Sequence, residues 1–252
     1  MKCLSVLGLK LEYLEIPATT AERPTLLMLH EGLGCVRMWR DFPQQLAAET
    51  GCRVIVWSRA GYGQSEPWPE ARTVRYMHRE ALVAMPAFLE ALQIERPVLL
   101  GHSDGGSIAL IFAGAFPQVP RGVIVMAPHE FVEEETLAGI RAAKKAWTAS
   151  DWPQKLARYH LDAERVFNDW NDTWLSPDFR DWNIEAYLPH IRCPVLALQG
   201  EDDEYATLRQ IEVIAENVAG AELLKLPNCG HSPQRDQPEA VLKAIDRFLI
   251  TV

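Results

Sequence analysis

Val98-Leu99-Leu100-Gly101-His102-Ser103-Asp104-Gly105-Gly106 decides how this chain is read. An apolar run with strand character stops at a cluster of small residues. Ile108, Ala109, Ile111, Phe112 and Ala115 then recur with helical period. The pentapeptide Gly101-His102-Ser103-Asp104-Gly105 fits Gly-x-Ser-x-Gly, a strand–turn–helix elbow that holds a serine hydroxyl clear of a sheet. Such a turn is strained. Residues two places on either side of Ser103 would meet strand and helix backbone if they carried a Cβ, which accounts for glycine at both.

The same alternation extends in both directions. Residues 2–16 read as one or two strands of an antiparallel edge, followed by apolar strands at 25–30 and 53–57. A helical period covers 37–50, with Pro43 in its first turn. A long helix is expected over 73–93, kinked near Pro86. Beyond the elbow, residues 122–127, 194–199 and 221–226 read as strands, and 206–218 and 238–250 as helices. Strands alternating with helices imply a mostly parallel sheet covered on both faces, with its site at the carboxyl ends of the strands. Residues 129–189 break the pattern. They are rich in charge, hold five of the eight tryptophans and show no strand, so they read as a helical insertion. The expected division is core 1–128, helical cap 129–189 and core 190–252.

Composition limits the partners. The chain has 252 residues, enough for one large core, and 48% hydrophobic with 23% charged residues is ordinary for a soluble globular protein. A net charge of −9 argues against nucleic acid or an anionic membrane as partner. There is no signal-peptide pattern and no apolar run of membrane-spanning length. Cys3, Cys35, Cys52, Cys193 and Cys229 are odd in number and scattered, which suggests neither disulfides nor a zinc site and points to a reducing, cytoplasmic setting. No His/Glu cluster has metal-ligand spacing, so neither metal nor other cofactor is expected. Oligomeric state is not readable.

A serine hydroxyl needs an adjacent base, and the base needs a group to orient it. Two strand ends downstream offer these. Gly200-Glu201-Asp202-Asp203-Glu204 follows one, and Asn228-Cys229-Gly230-His231 follows the last. With His30-Glu31-Gly32-Leu33-Gly34 and Arg59-Ala60-Gly61-Tyr62-Gly63-Gln64-Ser65, these segments resemble the α/β-hydrolase superfamily over essentially the whole chain. The nearest likeness is to capped small-molecule esterases of the valacyclovir-hydrolase-like and meta-cleavage-hydrolase-like kinds. The resemblance implies an eight-stranded, mostly parallel sheet with a helical cap after the sixth core strand. It implies a triad of Ser103, Asp203 and His231, because the acid usually stands three residues after the glycine; this selects Asp203 over Asp202. His102 and His30 then read as packed structural residues, and His78, His129, His160 and His190 receive no role.

Two backbone N–H groups should hold the oxyanion. One is that of Asp104, directly after Ser103. The other comes from the loop after His30, where Glu31 replaces the family's usual glycine and leaves two registers, Gly32 or Leu33, with Gly32 preferred. Leu137, Ile140, Trp147 and Trp174 are candidates to face substrate from the cap. Asp104 and Glu31 place negative charge beside a site that must stabilise an oxyanion, so a cationic substrate group, such as the ammonium of an amino-acid ester, would neutralise them. The alternative is that Asp104 merely serves the helix dipole. The reading is a serine hydrolase of small carboxylic esters. The alternatives are a carbon–carbon bond hydrolase using a similar triad, thioester or amide cleavage, and a non-catalytic receptor on the same fold.

Overall fold

The computed structural model describes residues 1–252. Its strands are β1 Lys2–Val6, β2 Leu9–Ile16, β3 Thr25–Leu29, β4 Arg53–Trp57, β5 Val98–His102, β6 Gly122–Met126, β7 Val195–Gly200 and β8 Glu222–Leu226. They form one sheet in the order β1-β2-β4-β3-β5-β6-β7-β8. Only the β1/β2 and β2/β4 pairs are antiparallel. From β3 the chain moves outward to β4 and then returns to β5 on the other side of β3. The strand order therefore reverses between β3 and β5, and a crevice opens at their carboxyl ends.

The sheet is covered on both sides. Along β3, Leu27 and Leu29 join one apolar layer while Leu26 and Met28 join the other, all four fully buried. Burying each such side chain contributes roughly 1.5–3 kcal/mol. The helices are α1 Phe42–Thr50, α2 Tyr76–Arg79, α3 Met85–Ala91, α4 Asp104–Ala115, α5 Glu134–Ala149, α6 Trp152–Leu156, α7 Ala163–Leu175, α8 Arg209–Asn217, α9 Pro233–Asp236 and α10 Pro238–Phe248. α4, buried on nearly every side, packs against β5 and β6.

Two helical expectations change in detail. Residues 37–50 are not one helix: a 3₁₀ turn, Val36–Trp39, ends where Arg40 takes φ 53°, and α1 starts afresh with Pro43 in its first turn. Between α2 and α3 the backbone widens into a π turn, Glu80–Ala84, immediately before Met85-Pro86. A proline has no N–H for the ladder, and a π turn is one way a helix takes up the irregularity. Between β6 and β7 the chain builds α5, α6 and α7, two 3₁₀ turns and a single antiparallel bridge, Phe131 to Asn183. The second 3₁₀ turn, Glu185–His190, packs against α4 rather than with α5–α7. No helix is long and apolar enough to cross a membrane.

Candidate active site

The elbow forms as its residues require. Ser103 sits at φ 53°, ψ −120°, strained for a residue with a side chain, and its N–H donates to the Met126 carbonyl at 2.9 Å. A Cβ at Gly101 would collide with the Gly105 carbonyl, and one at Gly105 with the carbonyl of Leu29 in β3. Helix, turn and two strands thus approach as closely as backbone allows. Ser103 Oγ is held over the crevice between β3 and β5.

His231, five residues beyond β8, places Nε2 2.9 Å from Ser103 Oγ. Its Nδ1–H faces both oxygens of Asp203, at 2.8 and 3.0 Å. Asp203 receives further hydrogen bonds from the Tyr205 N–H at 2.9 Å and Gln199 Nε2 at 3.2 Å, and its side chain is sealed from solvent. Asp202, its neighbour, is exposed. Burial alone would raise the Asp203 carboxyl; the charge and hydrogen bond of His231 outweigh it and hold the carboxyl below its ordinary range. Burial alone would lower His231, and Asp203 outweighs it in turn, so its pKa lies above the ordinary 6.5. A base hydrogen-bonded to a serine on one side and a buried carboxylate on the other can activate that hydroxyl as a nucleophile.

Donors for an oxyanion are close by. The Asp104 N–H opens α4, where the first N–H groups have no intrahelical acceptor. The N–H groups of Gly32 and Leu33 donate to no protein atom either. Their loop is tied from two sides. His30 bonds the Glu31 carbonyl through Nδ1 at 2.7 Å and accepts the Arg59 N–H at Nε2. His160, between α6 and α7, accepts the Gly63 N–H at Nδ1 and donates from Nε2 to the Leu33 carbonyl, both at 2.9 Å. His160 went unassigned in the sequence because its two partners lie 97 and 127 residues away. His102 is the packed residue it was expected to be, bonded to the His231 carbonyl at 2.7 Å and to Gln234 at 3.1 Å.

A cavity of about 250 Å³ adjoins Ser103 and His231. Gly32, Leu33, Asp104, Glu31, Ile140 and Trp174 line it. Leu137 and Trp147 do not: the Trp147 ring stacks on Phe167 at 4.0 Å, inside the packing of α5 to α7. Trp147 is therefore corrected from substrate contact to core. Trp152 and Trp170 line the cavity in its place, together with His129, Thr136 and Tyr205. His129 could have been suspected, since it stands just past the carboxyl end of β6.

The electrostatic reason for a cationic substrate does not hold at Asp104. Asp104 is buried, with Tyr76 donating to Oδ2 at 2.8 Å and the guanidiniums of Arg59 and Arg72 at 3.6 and 3.8 Å. The protein itself supplies the compensating charge. The Glu31 carboxylate turns toward Gly34 and His102. No group of three or more His, Cys, Asp or Glu side chains is arranged to hold a metal ion.

Comparison with known proteins gives a consistent result. The family model described as alpha/beta hydrolase fold matches residues 24–164. Serine hydrolase BPHL of Mus musculus is 30% identical over 217 residues, 83% of this chain and 74% of that protein. The 2-hydroxy-6-oxononadienedioate/2-hydroxy-6-oxononatrienedioate hydrolase of Comamonas testosteroni is 23% identical, covering 90% of this chain and 88% of its own. Among solved structures, the enol-lactonase from Burkholderia xenovorans LB400 superposes with a TM-score of 0.76 at 19% identity, over 99% of this chain and 100% of that one. At that identity the likeness speaks for the fold alone.

Proposed function

We propose, from the premise that this chain belongs to the alpha/beta hydrolase fold family, that it is a serine hydrolase of small carboxylic esters. The observation that carries the reading is the hydrogen-bonded chain Asp203–His231–Ser103 ending at a strained serine beside a cavity. Ser103 Oγ attacks the ester carbonyl as its proton passes to His231 Nε2. The tetrahedral oxyanion is held by the Asp104 N–H and by a second N–H from the Gly32–Leu33 segment. His231 then protonates the leaving alcohol, and an acyl-enzyme forms on Ser103. Water, deprotonated by His231, releases the acid. Asp203 fixes the tautomer of His231 and stabilises its imidazolium. Within residues 129–189, α5 to α7 serve as a cap that covers the acyl group with Trp152, Trp170 and Trp174. The five cysteines are unpaired thiols, which suits the proposed cytoplasmic setting.

The test is stoichiometric labelling of Ser103 by an organophosphonate, with turnover of p-nitrophenyl acetate or butyrate. Both should vanish in Ser103→Ala, and labelling elsewhere would refute the assignment. The Comamonas testosteroni relative keeps carbon–carbon bond hydrolysis as the second reading. A ring-fission diketone turned over faster than any ester would establish it.

A further inference from the structure

Four residues that line the catalytic cavity carry a buried polar atom that no protein group hydrogen-bonds: Asp104 Oδ1, His129 Nδ1, Thr136 Oγ1 and Trp174 Nε1, of which Asp104 already has Arg59 and Arg72 beside its carboxylate. Each belongs to a side chain no more than 2% exposed. Buried polar atoms are almost always paired, because leaving one unpaired forfeits its bonds to water. The indoles of Trp39, Trp57 and Trp182 are also unpaired, but they lie outside this cavity. What sets His129, Thr136 and Trp174 apart is that they are uncharged at physiological pH and line one space, beside the base. The ring centroids of His129 and Trp174 are 5.1 Å apart, and those of His129 and His231 5.7 Å.

Their bonding requirements are complementary. His129 Nε2 lies 3.4 Å from the Tyr205 carbonyl. A carbonyl only accepts, so Nε2 carries the proton and Nδ1 offers a lone pair. Burial, with His231 beside it, holds this ring at about 4, so it is neutral at physiological pH. The Trp174 N–H only donates, and the Thr136 hydroxyl does either. A ligand group that satisfies His129 and Trp174 must have both a proton to give and a lone pair to receive. A carboxylate has no proton for Nδ1. An ammonium has no lone pair for the indole. An alkyl group has neither.

We propose that His129, Thr136 and Trp174 form a recognition subsite for a neutral group that both gives and takes a hydrogen bond, a hydroxyl or a primary amide, carried by the ester substrate a few atoms from its scissile carbonyl. This rests on the ester-hydrolase reading and names its substrate class. It replaces the cationic group that Asp104 no longer requires.

The test compares kcat/KM on matched esters. On the acyl side these are methyl β-hydroxybutyrate, methyl succinamate, methyl β-aminobutyrate, monomethyl succinate and methyl isovalerate. On the alcohol side they are hydroxyethyl butyrate and propyl butyrate. The hydroxyl or amide member of one series should exceed its alkyl counterpart by about tenfold or more, and the charged members should fall below it. Trp174→Phe and Thr136→Val should each shrink that ratio by about threefold. A merely structural disturbance would lower both rates and leave the ratio intact. Equal rates for hydroxylated and alkyl esters in both series, or a preference untouched by both variants, would overturn the subsite. Phosphonate labelling of Ser103 separates the two ideas: labelling without a hydroxyl or amide preference refutes the subsite alone, and no labelling refutes the ester reading as well.

Discussion

Asp203 meets His231 with both carboxylate oxygens, 2.8 and 3.0 Å from the same Nδ1, while the adjacent Asp202 stands in solvent. One position in the acidic run Glu201–Glu204 is thereby singled out by contact with the imidazole, since Glu204 reaches only the His231 backbone N–H, at 3.1 Å. Asp203→Asn should reduce kcat by roughly 10³–10⁴-fold, because an amide can hold the wrong tautomer. Asp202→Asn should change it by less than about twofold. Steady-state kinetics of the two variants check the assignment, and a reversed pattern would move the acid to Asp202.

The same contact sets the pH dependence. His231 must be neutral to accept the serine proton, and Asp203 holds its pKa above 6.5. The acid limb of kcat/KM should therefore have its midpoint above pH 6.5, with activity falling below it. In Asp203→Asn the nearest stabilising anion is gone while burial, Glu204 and Glu31 remain, so the midpoint of the residual activity should move to lower pH. A limb unmoved by that substitution would mean that another group titrates.

Asp104 should matter to stability more than to charge selectivity. Asp104→Asn leaves Arg59 and Arg72 beside a neutral group, and Arg59 is only 1% exposed. Breaking a buried pair in this way typically costs about 3–5 kcal/mol. Urea denaturation should show a loss of that order. A matched ammonium and neutral ester pair should differ by less than about fivefold in the wild-type protein. A strong cation preference abolished in the variant would restore the electrostatic role.

His160 joins the segment between α6 and α7 to the loop that carries Gly32 and Leu33. His160→Ala removes both of its hydrogen bonds and leaves the Leu33 carbonyl untethered. Misplacing an oxyanion donor by about 1 Å is enough to cost on the order of a hundredfold. We expect kcat to drop roughly ten- to a hundredfold with KM changed far less. Unchanged kcat would show that the loop holds its geometry alone.

Much of this was legible in the residues. Ser103, Asp203 and His231 stand within five residues of the carboxyl ends of strands in one mostly parallel sheet, so topology brings them together without knowledge of any side-chain contact. The glycines beside Ser103 were legible for a similar reason, because a backbone approach leaves its mark in which residue is tolerated. Trp147 and Trp174 were not separable. Both belong to amphipathic helices, and which face meets the cavity depends on how α5 and α7 pack against each other. Arg59 and Arg72 on Asp104 were invisible for a different reason. They reach it from two loops, and such contacts have no period in the sequence.

Ser103 hangs from β5, Asp203 from β7 and His231 from β8, and β6 alone lies between β5 and β7. Pairing along these strands is strict, with His102 opposite Met126, Met126 opposite Leu198 and Gly200 opposite Leu226. A slip of one residue shifts a strand by about 3.3 Å and turns its side chains to the other face. The 2.9 Å bond between Ser103 and His231 cannot absorb such a shift. A phosphonate that reacts only with an activated serine therefore counts the molecules whose four strands from β5 to β8 are in register. Sampled during refolding, the labelled fraction becomes a clock for the closing of that half of the sheet, read from a single covalent bond.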